Sequence, residues 1–111
     1  MIKVFISQSM KGKTDEEILR ERKEVLEDVK KQLGEELELL DSFFQGAPSN
    51  AKPLWYLGES LKLLSTADVA YFCKDWKSYR GCRIEHTCAK EYGIEVIEAW
   101  EQTSFQNYVR M

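Results

Sequence analysis

The chain contains the apolar run Val69-Ala70-Tyr71-Phe72-Cys73, and after a short polar segment it continues as Arg80-Gly81-Cys82-Arg83-Ile84-Glu85-His86. The first run is typical of a buried parallel strand, and the second segment opens a predicted helix that ends near Tyr92-Gly93. In α/β proteins, ligands bind outside the carboxyl ends of parallel strands, where such helices begin. We therefore expect Glu85, on the first turn of this helix, to lie at a functional site.

The rest of the chain continues the alternation of strands and helices. Strands are predicted at Ile2–Ile6, Leu37–Phe43, Asp68–Cys73 and Ile94–Ile97. A first helix begins after Thr14, which forms a capping box with Glu17, and ends at Gly34. A second helix begins at Pro53. The apolar residues predicted to face the sheet are Ile18, Leu19, Val25, Leu26, Val29 and Leu33 in the first helix and Leu54, Leu57, Leu61 and Leu64 in the second.

This alternation predicts an α/β fold in which right-handed crossovers build a parallel sheet. We expect one domain over residues 1–111, a flavodoxin- or Rossmann-like three-layer fold with about four strands in the order 2-1-3-4. The sheet then changes direction between its first and third strands. The crevice at that point is predicted to be lined by residues 7–13 and 75–85.

Composition limits the class of partner. The 111 residues are 43% hydrophobic and carry a formal net charge of −3. This content suffices for one core, and the negative charge argues against sequence-independent binding of nucleic acid polymers. No apolar run reaches the length of a membrane span, about 18 residues, and the chain starts directly with a strand rather than a cleavable signal. The sequence therefore predicts a cytoplasmic protein with no membrane partner.

The cysteines do not form a recognisable framework. Cys73, Cys82 and Cys88 are odd in number and lack C-x-x-C spacing, so we expect free thiols. The only histidine, His86, follows Cys82 by four residues, which leaves open a thiol nucleophile activated by an imidazole. A structural zinc site needs four ligands, more than this group supplies. The sequence predicts neither a metal site nor a cofactor.

Several short motifs together resemble the nucleoside 2-deoxyribosyltransferase-like superfamily. They are a serine-containing loop after the first strand, the segment STADVAYF at 65–72, a following glycine, Glu85, Ala89 and the segment YGIEVI at 92–97. The resemblance runs from Met1 to about Ile97 and is strongest to a small bacterial and phage branch. It implies an enzyme that cleaves or transfers the N-glycosidic bond of a (deoxy)nucleoside or its 5′-monophosphate.

The resemblance also implies residue roles. Glu85 would attack the anomeric carbon and release the base, a two-step displacement that carboxylates perform at glycosidic bonds. Ser9 and Lys11 would bind the sugar or its 5′-phosphate, and backbone amides before a helix favour an anion independently. The predicted substrate-binding residues are Ser7, Gln8, Ser9, Lys11, Gly12, Ser60, Asp75, Trp76, Tyr79, Arg80 and Gly81.

Within this set, two kinds of side chain have specific expected roles. Arg80, together with Arg83, suits bidentate contact with a phosphate, and Trp76 and Tyr79 suit stacking on a base. Subunits of the superfamily often complete one another's sites, so the resemblance implies a homo-oligomer. The segment Trp100–Met111 is predicted to pack on a neighbouring surface.

Three positions depart from the superfamily pattern. Ser60 stands where active members carry the acid that protonates the leaving base, and a serine cannot do this at neutral pH. Phe5 stands where a tyrosine orients the nucleophile, and Tyr79 where an Asp or Ser is common, which leaves Asp75 as the nearest carboxylate. The alternative function is therefore a non-catalytic protein that binds or sequesters nucleotides, in which Glu85 is a helix-terminal carboxylate without a reaction.

Overall fold

In the computed structural model, which describes residues 1–34, 36–42 and 47–99, four short strands form one parallel sheet. The elements in chain order are β1 (Ile2–Ser7), α1 (Asp15–Leu33), β2 (Leu37–Leu39), α2 (Pro53–Leu64), β3 (Val69–Phe72), a 3₁₀ turn (Trp76–Ser78), α3 (Arg80–Glu91) and β4 (Glu95–Glu98). The strand order is β2-β1-β3-β4, and each neighbouring pair is parallel. The predicted α/β fold with strand order 2-1-3-4 is confirmed.

Alternate residues of β1 face the two helical layers. Val4 and Ile6 pack with Val29 of α1 on one face of the sheet. Phe5 packs with Leu64 of α2 and lies in one cluster with Ala89 of α3 on the other face. This two-sided burial explains why the centre of β1, Val4-Phe5-Ile6, is a continuous apolar run rather than an alternating one. The sheet is thus the middle of three layers, with its carboxyl edge free for a site.

The ends of α1 are set by local hydrogen bonds that the sequence predicts. The amide of Glu17 donates to Thr14 Oγ1 at 3.1 Å, and the amide of Thr14 donates to Glu17 Oε1 at 3.0 Å. At the other end, Gly34 adopts a φ of 92° and its amide donates to the carbonyl of Lys30 at 2.8 Å. Only glycine adopts this left-handed φ without strain, which confirms its predicted place after the helix.

The apolar stripes are narrower than predicted. Leu19 of α1 is 52% exposed and Leu54 of α2 is 75% exposed, so neither faces the sheet. Arg22 is buried on α1 instead, four residues after the buried Ile18. Its guanidinium donates to Ser42 Oγ at 3.0 Å and to the carbonyl of Leu40 at 3.3 Å, which offsets the cost of burying the charge.

Most element bounds agree with the predictions to within one or two residues. The exception is β2, which ends at Leu39 rather than Phe43. Phe43 itself and the segment Trp100–Met111 lie outside the described residues. Tyr56 is exposed on α2, as Leu54 is. The homo-oligomer that the sequence predicts stays a prediction. Across the part of the chain that the structure describes, no helix combines the length and hydropathy needed to cross a membrane.

Candidate functional site

Glu85 lies at the carboxyl edge of the sheet, but not where the sequence predicts it on the helix. Because α3 begins at Arg80, Glu85 is on the second turn rather than the first. It is beyond the first four residues, whose amides have no partner within the helix. The predicted position of Glu85 on the first turn is therefore wrong, and the helix-dipole effect, which falls off within that turn, contributes little to the stability of its charge.

Two serine hydroxyls hold the Glu85 carboxylate instead. Ser7, the last residue of β1, donates to Glu85 Oε1 at 2.6 Å, and Ser60 of α2 also hydrogen-bonds the carboxylate. Ser7 is 1% exposed and Glu85 7% exposed. The alternation along β1 that turns Phe5 toward α2 and α3 turns Ser7 the same way. The carboxylate thus joins one strand and two helices inside the protein.

The protonation of Glu85 depends on opposing influences. Burial raises the pKa of Glu85 above its ordinary value, and the hydrogen bonds from Ser7 and Ser60 act in the opposite direction without cancelling the rise. Arg80 and Arg83, the two arginines that the sequence predicts near this site, both lie at the protein surface. Arg83 Nη1 donates to the carbonyl of Lys77 at 2.9 Å. A carboxyl group with a raised pKa is typical of residues that exchange protons at functional sites, whereas attack on a substrate requires its ionised form.

This raised pKa predicts a pH dependence of stability. A carboxyl group that binds its proton more tightly when folded than when unfolded stabilises the protein below the unfolded pKa, and this stabilisation is lost as the pH rises through the folded pKa. Glu85→Gln removes the titration while keeping the shape. We expect urea unfolding to show that Glu85→Gln gains stability relative to the wild type as the pH rises from about 4.5 toward neutrality. A difference between the two proteins that does not vary with pH would contradict the raised pKa.

A cavity of about 360 Å³ opens beside Glu85, between α1 and the carboxyl ends of β1 and β3. This volume lies in the range of small-molecule sites. The residues that line it are Ser7, Ser9, Lys13, Glu21, Glu24, Val25, Asp28, Tyr71, Cys73, Lys74, Asp75, Trp76, Tyr79, Cys82 and Ala99. Because Ser7 both lines the cavity and donates to Glu85, the carboxylate lies one hydrogen bond behind the cavity wall.

The structure separates the predicted site residues into two groups. Those that line the cavity are Ser7, Ser9, Asp75, Trp76 and Tyr79. Those that do not are Gln8, Lys11, Gly12, Ser60, Arg80, Gly81 and Glu85 itself. Of the second group, Ser60 is joined to the site through Glu85, whereas Lys11, Gly12 and Arg80 are exposed outside it. The predicted loop and helix segments do meet at one cavity.

The loop after β1 is hydrogen-bonded to α1, rather than open for its backbone amides to bind an anion. Gln8 is buried, and its Nε2 donates to the carbonyl of Ile18 at 3.1 Å and to Glu21 Oε1 at 2.8 Å. Lys13 Nζ donates to the same Glu21 oxygen at 2.9 Å. Burial acts to raise the pKa of Glu21, but these two donors outweigh it and lower that pKa. Glu21 is thus held ionised in the cavity wall.

Trp76 has one ring face covered before any ligand binds. The imidazole of His86 stacks on the Trp76 indole with ring centroids 3.9 Å apart and an interplanar angle of 11°. His86 Nε2 is also 2.8 Å from Glu98 Oε2, in β4. These contacts hold Trp76 as a wall of the cavity, so Tyr79 is the better candidate for stacking on a base.

The cysteines give little support to a thiol nucleophile. Burial raises the pKa of Cys73 to about 12 and also raises the pKa of Cys82, so both favour the unreactive thiol. His86, the predicted activating base, makes its contacts with Trp76 and Glu98. Among residues 1–34, 36–42 and 47–99, no group of three or more His, Cys, Asp or Glu side chains is placed to hold a metal ion.

The acidic wall of the cavity is the part of the site that sequence reasoning missed. Glu21, Glu24, Val25 and Asp28 line the cavity from α1, at intervals of three or four residues. On a helix this spacing places side chains on one face. This face of α1 also contacts β3, because the hydroxyl of Tyr71 donates to Asp28 Oδ2 at 2.7 Å. A search for polar residues at helical spacing beside the apolar stripe would have identified this wall.

Comparison with known proteins supports the fold and places the chain in a family. A crystal structure of a conserved protein from Enterococcus faecalis V583 matches it with a TM-score of 0.67 and 16% sequence identity, over 92% of this chain and 65% of that chain. This chain thus spans about 65% of the length of that protein, and the likeness shows the fold alone. No curated protein matches the sequence. Residues 2–98 match the model of the domain of unknown function DUF4406, and the chain therefore belongs to the DUF4406 family.

Proposed function

We propose that this protein binds a nucleoside or its 5′-monophosphate in the cavity beside α1 and cleaves or transfers the N-glycosidic bond through Glu85. The observation that carries the proposal is the buried Glu85 carboxylate, held by Ser7 and Ser60 one hydrogen bond from the cavity. A carboxylate attacks an anomeric carbon when the two atoms approach to about 3 to 3.5 Å, which here requires the sugar to reach past Ser7. The superfamily resemblance of the sequence also points to Glu85.

The chemistry follows a two-step displacement. The carboxylate of Glu85 bonds to the anomeric carbon while the bond to the base breaks, and water or a second base then releases the sugar from Glu85. The hydrogen bond from Ser7 at 2.6 Å fixes the orientation of the carboxylate directly behind the cavity wall. Burial makes the carboxylate less well solvated, which strengthens it as a nucleophile once ionised.

The cavity offers contacts for both parts of such a ligand. Tyr79 and Trp76 supply aromatic surface for a base. Ser9, in the loop after β1, and Asp28, on α1, supply groups that hydrogen-bond sugar hydroxyls. Both described hydrogen bonds to Asp28, from Tyr71 and Gln32, end on Oδ2, which leaves Oδ1 to accept from a ligand.

A second function is favoured by a specific observation. Ser60, at the position where active members of the superfamily have an acid, hydrogen-bonds Glu85 instead. In this alternative, Ser7, Ser60 and Glu85 form a buried polar link that fastens β1, α2 and α3 together. The protein would then bind or sequester a nucleotide in the cavity without cleaving it.

Incubation with a panel of ribonucleosides, deoxyribonucleosides and their 5′-monophosphates distinguishes the two functions. The enzymatic proposal predicts free base in the reaction mixture, measured by liquid chromatography against a reaction without protein. Saturable binding of a panel member that is recovered intact would contradict the enzyme and establish the binding protein. The molecular mass of the native protein in solution, measured in the same samples, tests the predicted homo-oligomer.

A further inference from the structure

We propose that the preferred substrates of this site are N-glycosides whose base carries a positive charge, such as N-ribosylpyridinium nucleosides. The inference rests on the proposed function and narrows its substrate class. It follows from two features of the described residues. The groups around Glu85 are poor proton donors, and the cavity wall in front of it has an excess of carboxylates.

Proton supply to the base decides which N-glycosides can be cleaved. The side chains that hydrogen-bond Glu85 are the hydroxyls of Ser7 and Ser60. A hydroxyl can donate a hydrogen bond but does not give up its proton at neutral pH. A neutral base leaves as an anion unless it gains a proton as the bond breaks. A pyridinium base leaves as a neutral molecule and needs no proton.

Two of the four carboxylates of the cavity wall, Glu21 and Asp28, already accept hydrogen bonds from neighbouring side chains. Glu21 accepts hydrogen bonds from Lys13 and Gln8, and these donors outweigh the effect of burial and lower its pKa. Asp28 accepts a hydrogen bond from the hydroxyl of Tyr71. Both carboxylates therefore act as acceptors in this structure. Glu21, whose pKa is lowered by its donors, attracts a cationic ligand rather than protonating a neutral one.

The charges that line the cavity agree with a cationic ligand. The charged residues in its wall are the acids Glu21, Glu24, Asp28 and Asp75 and the bases Lys13 and Lys74. The ammonium group of Lys13 forms an ion pair with Glu21, with 2.9 Å between Nζ and Oε1. A cleft with an excess of one sign of charge concentrates ligands of the opposite sign.

The reaction balances without an added acid or co-reactant. One carboxylate oxygen of Glu85 forms a bond to the anomeric carbon, and the electron pair of the C–N bond returns to the ring nitrogen and neutralises the pyridinium. Water then adds to the anomeric carbon, the ester bond to Glu85 breaks, and the carboxylate is regenerated. The proton from that water passes to solvent.

Nicotinamide riboside and uridine provide a cationic and a neutral probe. For each, kcat/KM is divided by the rate constant of the uncatalysed reaction, because the pyridinium bond is weaker even in water. We expect this rate enhancement to be about 100-fold or more greater for nicotinamide riboside, which is the factor that a general acid ordinarily supplies to a neutral substrate.

Two variants of α1 test the role of charge. Glu24 lines the cavity, whereas Glu27 is exposed three residues further along the helix and does not. We expect Glu24→Gln to lower kcat/KM for nicotinamide riboside about three- to tenfold, through KM, and to leave the dissociation constant of uridine unchanged. Glu27→Gln is expected to change neither.

The outcomes separate this inference from the proposed function. Equal rate enhancements for the two probes, or an equal response to Glu24→Gln and Glu27→Gln, would overturn the cationic preference and leave N-glycoside cleavage in place. Release of base from neither probe nor any other N-glycoside would overturn both.

Discussion

Glu85→Gln is expected to abolish base release, with kcat/KM lower by about 1000-fold or more than in the wild type. The amide has the size of the carboxylate and still accepts a hydrogen bond from Ser7, which lies 2.6 Å from Oε1 in the wild type. It cannot form the ester bond to the sugar. The measurement is the initial rate of base release with the most reactive substrate of the panel.

Glu91→Gln is the matched control, because Glu91 is the exposed last residue of the same helix. It is expected to leave the rate unchanged. Urea unfolding of both variants shows whether the fold is retained. A folded Glu85→Gln protein that releases base within tenfold of the wild-type rate would exclude Glu85 as the nucleophile.

Phe72→Ala is expected to lower the free energy of unfolding by about 3 to 5 kcal/mol. Phe72 has no exposed surface, at the carboxyl end of β3. Its ring packs against Trp76 and His86, with centroid distances of 5.7 and 4.9 Å. Truncation leaves a void in the layer that supports the cavity wall, and the surrounding rings cannot fill it without breaking their own contacts.

Leu54→Ala is the control for this prediction. Leu54 is also a large apolar residue, but it is 75% exposed, so its truncation should change the free energy of unfolding by less than about 0.5 kcal/mol. Denaturant titrations at one pH measure both variants. A loss of less than about 1 kcal/mol for Phe72→Ala would show that this layer is less tightly packed than the structure indicates.

The fold could be predicted because each element has a strong local signal. Thr14 and Glu17 form the expected capping box, and Gly34 ends the same helix as expected. The apolar run of β3 and the helix after it predict a parallel sheet through the handedness of crossovers. Periodicity alone could not show which residues of a wide apolar stripe meet the sheet, and Leu19 and Leu54 are exposed for that reason.

The site could be predicted in place but not in detail. The carboxyl ends of β1 and β3 do form a cavity, and Ser7, Ser9 and Tyr79 line it as predicted. The link between Ser7 and Glu85 joins residues 78 positions apart, so it depends on the packing of α3 against β1. The turn of α3 that carries Glu85 depends on where the helix begins, which is Arg80. Helix ends are difficult to predict to the residue from sequence, so the sequence does not predict this turn correctly.

Covalent attachment of the sugar to Glu85 is the most direct consequence of the proposed mechanism. A pyridinium nucleoside with a 2-fluoro sugar slows the release of a glycosyl-enzyme, because fluorine destabilises the oxocarbenium-like transition state. Trypsin cleaves after Arg83 and Lys90, and in the resulting peptide of residues 84–90 Glu85 is the only side-chain carboxylate. Mass spectrometry of this peptide is expected to show the added mass of one fluorinated sugar. Base release that leaves this peptide unmodified, or that places the sugar on another peptide, would contradict the mechanism.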